Sequence, residues 1–272
     1  MMIRIIASLF VLLIPGYVFA QLQRPSLTGM LRGGSFLLRT KPTKEQKKRL
    51  QPDAQDLAKY AVFLEQPRTG IFRLMPDIGC TENINLIRAD AVCLNFIPES
   101  SYYSFREKEH TIEMLADIRL RNGFLISDGI MSQGILVRLG EETALETVAP
   151  ASAGLEYLSS YAPHTQSSDA QKQYVEMMRG VRVGSYEYKK ALPMIENAIY
   201  ALRVVAYKGS VYRSFRGYRF DVLFGDKRID MTIAFRVIRK ETDGGVTLLW
   251  KEIERREAPR LIFPKRSKIK QN

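Results

Sequence analysis

The clearest periodicity in the sequence lies between Ile229 and Trp250. Apolar and more polar side chains alternate there, in the order Ile229, Asp230, Met231, Thr232, Ile233, Ala234, Phe235, Arg236 and Val237. After the turn sequence Thr242-Asp243-Gly244-Gly245, the alternation returns at Val246, Leu248 and Trp250. Because successive side chains of a strand point to opposite faces, a period of two is typical of a half-buried strand. We therefore predict two half-buried strands that pair antiparallel across the turn.

Further strand patterns extend this sheet. Tyr200–Tyr207 and Tyr218–Phe224 would complete a C-terminal four-stranded antiparallel meander. Between the alternating runs of Ile118–Ile126, Asn122-Gly123 favours the two-residue turn of a β-hairpin, because both turn positions need a positive φ. Shorter apolar runs also predict strands, the last of them continuing the ladder of this hairpin: Ile71–Leu74, Ala91–Phe96 and Ile135–Leu139.

Helical patterns are fewer and shorter. Thr43 is a candidate N-cap for a helical region that runs to Pro67 and is interrupted near Pro52. A short helix is expected within Gly154–Tyr161, and Asp169 is a candidate cap for a helix that ends at Met178. The sequence thus predicts an α+β fold, mainly antiparallel β-sheet with a few peripheral helices.

The first twenty residues have the pattern of a signal peptide. Arg4 supplies a positive start, Ile5–Ile14 is apolar, and small or modest side chains at Val18-Phe19-Ala20 precede the expected cleavage after Ala20. The apolar run is shorter than the roughly 20 residues that a membrane-spanning helix needs. We expect an exported protein, periplasmic or extracellular and soluble after cleavage. The alternative is a retained N-terminal anchor.

The rest of the chain shows no repeat and no clear linker. Residues 21–43 contain scattered glycine and proline without a sustained period, which predicts a flexible leader. Residues 44–263 are long enough for a single α+β domain, and residues 264–272 form a basic tail. The polar stretch at residues 150–168 marks a soft boundary if the chain has two domains instead.

The charge of the chain favours anionic partners. There are 41 basic and 29 acidic residues, so the formal net charge of +12 becomes +11 when Arg4 leaves with the signal peptide. A basic surface attracts polyanions through its summed field. The alternative is that the protein is basic, like many exported proteins, without binding any polyanion.

The two cysteines, Cys80 and Cys93, are predicted to form a disulfide. They are thirteen residues apart in a chain that would pass through an oxidising compartment. A redox pair or a pair of metal ligands is the alternative, but the spacing lacks the C-x-x-C arrangement of exchangeable thiols.

A segment rich in aromatic and arginine residues is the candidate anion-binding site. Aromatic residues recur there every third position, and each is followed by an arginine: Tyr212-Arg213, Phe215-Arg216 and Tyr218-Arg219. Guanidinium groups bind phosphate or carboxylate in a fork, and aromatic faces stack on sugars or bases. The alternative is that some of these aromatic side chains point into the core. Tyr102–Lys108 has a weaker version of the same composition.

Catalytic and cofactor motifs are absent from the sequence. His110 and His164 are the only histidines, which excludes a multi-histidine zinc site, and no H-E-x-x-H, G-x-S-x-G, Walker or G-x-G-x-x-G pattern occurs. We therefore expect no cofactor, no metal and no nucleotide, and export makes nucleic acid an improbable partner. Two carboxylate pairs are candidates for glycosidic chemistry or ordinary surface charges: Asp226 with Asp230, and Glu107 with Glu109.

Two function hypotheses follow from the sequence. The first is a non-catalytic binding or assembly protein of the cell envelope that recognises an anionic polymer, a lipid headgroup or a protein partner. The second is a secreted hydrolase whose carboxylate or serine site is assembled from distant residues.

Overall fold

The computed structural model describes residues 36–38, 41–83, 86–140, 143–215 and 217–264. The predicted signal peptide, most of the predicted leader, Arg216 and nearly all of the basic tail lie outside these residues. The strands, in chain order, are β1 (Phe36–Leu38), β2 (Thr69–Leu74), β3 (Thr81–Asn83), β4 (Leu86–Arg88), β5 (Tyr102–Ser104), β6 (Glu109–His110), β7 (Ile118–Arg121), β8 (Phe124–Ile126), β9 (Ser132–Gly140), β10 (Val181–Val183), β11 (Tyr186–Lys189), β12 (Ala191–Pro193), β13 (Ile199–Ala206), β14 (Tyr212–Phe215), β15 (Tyr218–Asp221), β16 (Ile229–Lys240) and β17 (Val246–Glu257).

The helices are short, and among those described only the first two have a side-chain N-cap, from Thr43 and Asp53. They are α1 (Lys44–Arg49), α2 (Ala54–Lys59), α3 (Ala61–Leu64), α4 (Glu156–Ser160) and α5 (Ser167–Arg179). Thr43 caps α1 as predicted, in a capping box with Gln46 that satisfies one backbone N–H at each residue. Asp169 is not the cap of α5: it lies in the first turn of that helix, which follows Gln166. No helix of the described residues is long and apolar enough to cross a membrane.

Two antiparallel sheets form most of the fold. The larger sheet has the strand order β10-β11-β9-β13-β16-β17-β2, and the smaller has the order β12-β8-β7-β5-β6. The predicted fold class, α+β with mainly antiparallel sheet, is confirmed. The predicted Asn-Gly hairpin is present as β7 and β8, with Asn122 at φ 51° and Gly123 at φ 75°.

Each face of the larger sheet has its own apolar core. Side chains such as Phe105, Leu125 and Trp250 fill the space between the two sheets. On the opposite face, Leu158 of α4 and Met177 of α5 pack on the sheet. The chain therefore forms three layers, with the larger sheet in the middle.

The middle position of this sheet explains why one prediction was wrong. The strand β16 is buried on both faces, not half-buried, because the helices cover the face that carries Asp230, Thr232 and Ala234. Asp230 is tolerated there since Arg203 of β13 donates two hydrogen bonds to its carboxylate, at 2.9 and 2.6 Å.

Two other strand predictions need correction. Ala91–Phe96 forms turns, not a strand: the backbone N–H of Cys93 donates to Asp90, and Val92 and Leu94 are exposed. The run Ile135–Leu139 is a strand, but it belongs to the larger sheet and does not continue the ladder of the Asn-Gly hairpin.

The C-terminal strands are antiparallel as predicted, with one difference in their arrangement. The strands β13, β16 and β17 are neighbours in the larger sheet, and β2 from the N-terminal part is the next strand. Tyr218–Asp221 pairs with Tyr212–Phe215 in a separate two-stranded ribbon.

The predicted disulfide is confirmed. Cys80 and Cys93 are bonded, with their Cα atoms 5.5 Å apart. Both cysteines are buried with Ile87 beside the three-stranded sheet β1-β4-β3. Phe36–Leu38, at the end of the predicted leader, forms a strand of this sheet.

Candidate binding site: the basic hairpin and the adjacent cavity

The predicted anion-binding segment forms a β-hairpin, residues 212–221, called here the basic hairpin. In its register, Tyr212 lies opposite Asp221, Arg213 opposite Phe220, and Ser214 opposite Arg219. Because paired residues share a face and neighbours alternate, Tyr212 and Arg219 lie on one face while Arg213, Tyr218 and Phe220 lie on the other. The three-residue spacing of the aromatics thus divides them between two faces.

Both tyrosine side chains of the basic hairpin are exposed. Tyr212 is 52% and Tyr218 79% exposed, and Phe224, just beyond the hairpin, is 91% exposed. Tyr212 and Tyr218 therefore do not point into the core, which was the alternative interpretation of this segment. A cluster of exposed aromatic side chains is unusual on a protein surface unless it contacts a partner.

Each face of the basic hairpin also presents a cationic group. The guanidinium of Arg219 lies over the ring of Tyr212, with Cζ 4.2 Å from the ring centroid. Arg213 is exposed and has no ion pair with any described residue. Phe215 occupies the register position opposite Tyr218, and Arg216 lies outside the described residues.

The start of the basic hairpin is fixed by the carboxylate of Asp221. This group accepts hydrogen bonds from the backbone N–H of Val211 at 2.8 Å and of Leu223 at 3.0 Å. These bonds lower the pKa of Asp221 below its ordinary value. The side chain of Leu223 is buried, so the exposed hairpin leaves the protein from an anchored base.

A buried ion network holds the chain that follows. The guanidinium of Arg106 lies 2.8 Å from Asp117 and 2.7 Å from Asp226, and Arg228 reaches the same Asp226 oxygen at 2.8 Å. Arg228 also donates to the carbonyl of Tyr207 at 2.9 Å. Burial opposes the charge of Arg106, but the two carboxylates outweigh it and raise its pKa. The buried charges next to the basic hairpin are therefore paired with one another.

The same network decides the role of the candidate carboxylate pairs. Asp226 is held by Arg106 and Arg228, whereas Asp230 is held by Arg203. These two carboxylates are structural ion-pair partners and do not converge on a common cavity. In the second pair, Glu107 binds Lys227 at 2.8 Å.

Beside this network is a cavity of about 560 Å³, called here the lysine-rimmed cavity. The turn that carries Arg106 and Glu107 continues into Lys108, Glu109 and His110, which line the cavity. The lysines and carboxylates that line it are Lys41, Lys47, Lys108, Glu99 and Glu109, and the apolar lining includes Leu50, Ile71 and Phe72. One turn thus serves both the hairpin base and the cavity wall.

His110 lies among aromatic rings in this cavity. Its ring meets Phe72 and Tyr103 edge-on, at centroid distances of 6.2 and 5.5 Å. Burial lowers the pKa of His110 despite backbone hydrogen bonds, including Nδ1 at 3.2 Å from the carbonyl of Tyr102, so the ring is neutral near pH 7. No serine is among the described residues that line the cavity. His164 is exposed, away from this set.

The second aromatic and basic segment has a structural place. Tyr102–Arg106 is buried: the rings of Tyr103 and Phe105 belong to the core between the sheets, and Arg106 lies at the centre of the ion network. The burial of this arginine could not be predicted from the sequence, because its carboxylate partners lie 11 and 120 positions away. Among the described residues, no group of histidine, cysteine and carboxylate side chains could hold a metal ion.

No protein-family model, curated protein or solved structure matches the chain. The function is therefore inferred from the exposed hairpin, its anchored base and the cavities of this chain.

Proposed function

We propose that this protein is exported and binds an anionic polymer of the cell envelope through the basic hairpin, without catalysing a reaction. The observation that carries the proposal is the exposure of Tyr212 and Tyr218 beside Arg213 and Arg219 on an anchored hairpin. Unpaired guanidinium groups attract phosphate or carboxylate groups, and exposed aromatic faces stack on the sugar rings that carry them.

A polymer suits the hairpin better than a membrane does. Arginine and aromatic side chains occur on both faces, so a flexible chain that follows the ribbon meets a cation and a ring whichever face it contacts. A hairpin that inserts into a bilayer would instead be expected to collect its apolar groups at one depth and its charges at another.

Two features support an extracytoplasmic location. The N-terminal pattern of Arg4, Ile5–Ile14 and Val18-Phe19-Ala20 is that of a cleaved signal peptide. The Cys80–Cys93 disulfide is compatible with an oxidising compartment. The formal net charge of +11 that remains without Arg4 then acts on the anionic polymers found there.

The test is retention on a column of an anionic polysaccharide, such as heparin, developed with a salt gradient. The variant R213A/R216A/R219A should elute at lower salt and bind roughly tenfold more weakly. The reason is that it loses three exposed ion pairs with the polymer, which contribute about 0.5 kcal/mol each. Y212A/Y218A should also bind more weakly at an unchanged charge if the rings stack on the polymer.

The matched control is K44A/K48A/K59A, which removes the same charge from exposed positions of α1 and α2. It should elute close to the unmodified protein. Equal retention of the hairpin variant and the unmodified protein would contradict the proposed site. Stronger binding to vesicles of anionic phospholipid than to the polysaccharide, lost in the hairpin variant, would assign the hairpin to membranes instead.

A further inference from the structure

A second cavity lies at the other end of β13 from the basic hairpin. It has a volume of about 350 Å³ and is called here the arginine cavity. Tyr200, near the start of β13, lines it, whereas the chain leaves the far end of β13 toward the hairpin. The charged lining residues are Arg138, Arg182 and Glu187.

The strand register explains why these side chains meet. Arg182 of β10 lies opposite Glu187 of β11, and Arg138 of β9 lies opposite Tyr200 of β13. Since Tyr188 pairs with Val137, the preceding Glu187 and the following Arg138 lie on a common face of the sheet. The four residues therefore form a row across four adjacent strands.

The charge in this row is not balanced within the described residues. Glu187 binds Lys189 at 2.8 Å, and this hydrogen bond lowers the pKa of the Glu187 carboxyl, with a smaller contribution from Arg182. Arg138 is exposed and has no ion pair or hydrogen-bonded carboxylate among the described residues. One carboxylate thus faces three cations, which leaves an excess positive charge beside the cavity.

The remaining walls are apolar and aromatic. Leu192 and Pro193 come from β12 of the smaller sheet, and Ile195 follows them in the chain. The hydroxyl of Tyr200 accepts from the backbone N–H of Ile195 at 3.0 Å and donates to the carbonyl of Pro193 at 2.7 Å. These bonds hold Pro193 and Ile195 against Tyr200 in the cavity wall.

From this arrangement we propose that the arginine cavity binds a small phosphomonoester. Two guanidinium groups match the double charge of a phosphate, and Ser185 adds a hydroxyl donor. The apolar wall of Leu192, Pro193 and Ile195 covers the organic part of the ligand. The site lies apart from the basic hairpin, so this inference does not depend on the proposed function.

The experiment is calorimetric titration of the full-length mature protein with phenyl phosphate and with inorganic phosphate, in a phosphate-free buffer of low ionic strength. Saturable binding of phenyl phosphate at one site is expected, with inorganic phosphate weaker because it lacks the apolar part. R138A/R182A should bind phenyl phosphate at least about tenfold more weakly, since two charge-assisted contacts are removed. I195A should reduce the preference for phenyl phosphate over phosphate.

The control R88A/R121A removes two exposed arginines elsewhere and should leave binding unchanged. R213A/R219A should also leave it unchanged, which separates this site from the hairpin. Urea denaturation of each variant verifies that the fold is retained, as expected for the exposed arginines and tested separately for the half-buried Ile195. Equal affinity of R138A/R182A and the unmodified protein, or no binding of phenyl phosphate up to about 10 mM, would overturn the inference.

Discussion

At the scale of residues, arginine has two different roles in this protein. Arg106 and Arg203 are buried, and their guanidinium groups are fully engaged by carboxylates and carbonyls. Arg138 and Arg213 are exposed and have no carboxylate partner among the described residues. The sequence could not separate these roles, because composition counts all four alike and the partners are distant in the chain. Of these four arginines, only the exposed Arg138 and Arg213 can bind an added anion.

Acid should destabilise the protein partly through His110. Burial lowers the folded-state pKa of His110 below its ordinary value of 6.5, so the unfolded chain binds more protons between the two values. The stability that His110 contributes is present above about pH 6.5 and is lost as the pH falls through its folded-state pKa. The midpoint of urea denaturation should therefore fall less in H110Q than in the unmodified protein between pH 7.5 and pH 5.5.

The exposed histidine supplies the control for this experiment. H164Q should keep the pH dependence of the unmodified protein, since His164 is exposed. A pH dependence of H110Q that equals that of H164Q would mean that His110 is not the group whose protonation is coupled to unfolding.

At the scale of elements, secondary structure was predictable where the residues of a short segment determine its conformation by themselves. Asn122-Gly123 predicted its hairpin correctly, because both residues take the positive φ that this turn requires. The alternation of Ile229–Val237 also predicted a strand correctly. The Ala91–Phe96 prediction failed since Asp90 caps a turn there, and a short apolar run does not reveal that contact. The partner of Asp226 just beyond the basic hairpin is Arg106, more than 100 positions away in the chain, which no local pattern predicts.

Removal of Asp226 should loosen the basic hairpin. In D226A, Arg106 and Arg228 lose a shared carboxylate in a buried position, which leaves excess positive charge there. If this lowers the free energy of local opening by about 1 to 2 kcal/mol, trypsin should cleave after Arg213 or Arg219 roughly 5 to 30 times faster. Mass spectrometry of the fragments identifies the cleavage sites.

The control is D169A, because Asp169 pairs with Lys172 on the surface of α5. Its cleavage pattern should match that of the unmodified protein. Unchanged cleavage after Arg213 and Arg219 in D226A would show that the Arg106–Asp226 contact does not hold the hairpin.

At the scale of the whole molecule, the three layers depend on contacts that no local pattern encodes. Fold class and strand direction followed from periodicity, but strand order did not, because β2 joins β17 across more than 170 positions of the chain. Burial of the second face of β16 also escaped prediction, since Asp230 reads as a solvent-facing residue until Arg203 is placed beside it. The arginine cavity was missed for the same reason: its row of side chains exists only after four strands have paired.

The Arg203–Asp230 pair should be important for joining the helical layer to the sheet. Arg203 lies on β13, binds Asp230 of β16, and donates to the carbonyl of Tyr161 at 2.7 Å and to that of Leu158. R203M leaves Asp230 buried without a partner, so the free energy of unfolding should fall by about 3 to 5 kcal/mol. Hydrogen exchange should rise first in α4, which loses its hydrogen bonds to Arg203 of the sheet. R68M removes an exposed arginine 3.6 Å from Glu252, whose carboxylate keeps its ion pair with Arg255, so the free energy of unfolding should fall by only about 1 kcal/mol or less. R203M/D230L should recover part of the loss because no buried charge remains unpaired. A loss in R203M no larger than in R68M would show that the pair contributes little to holding the layers together.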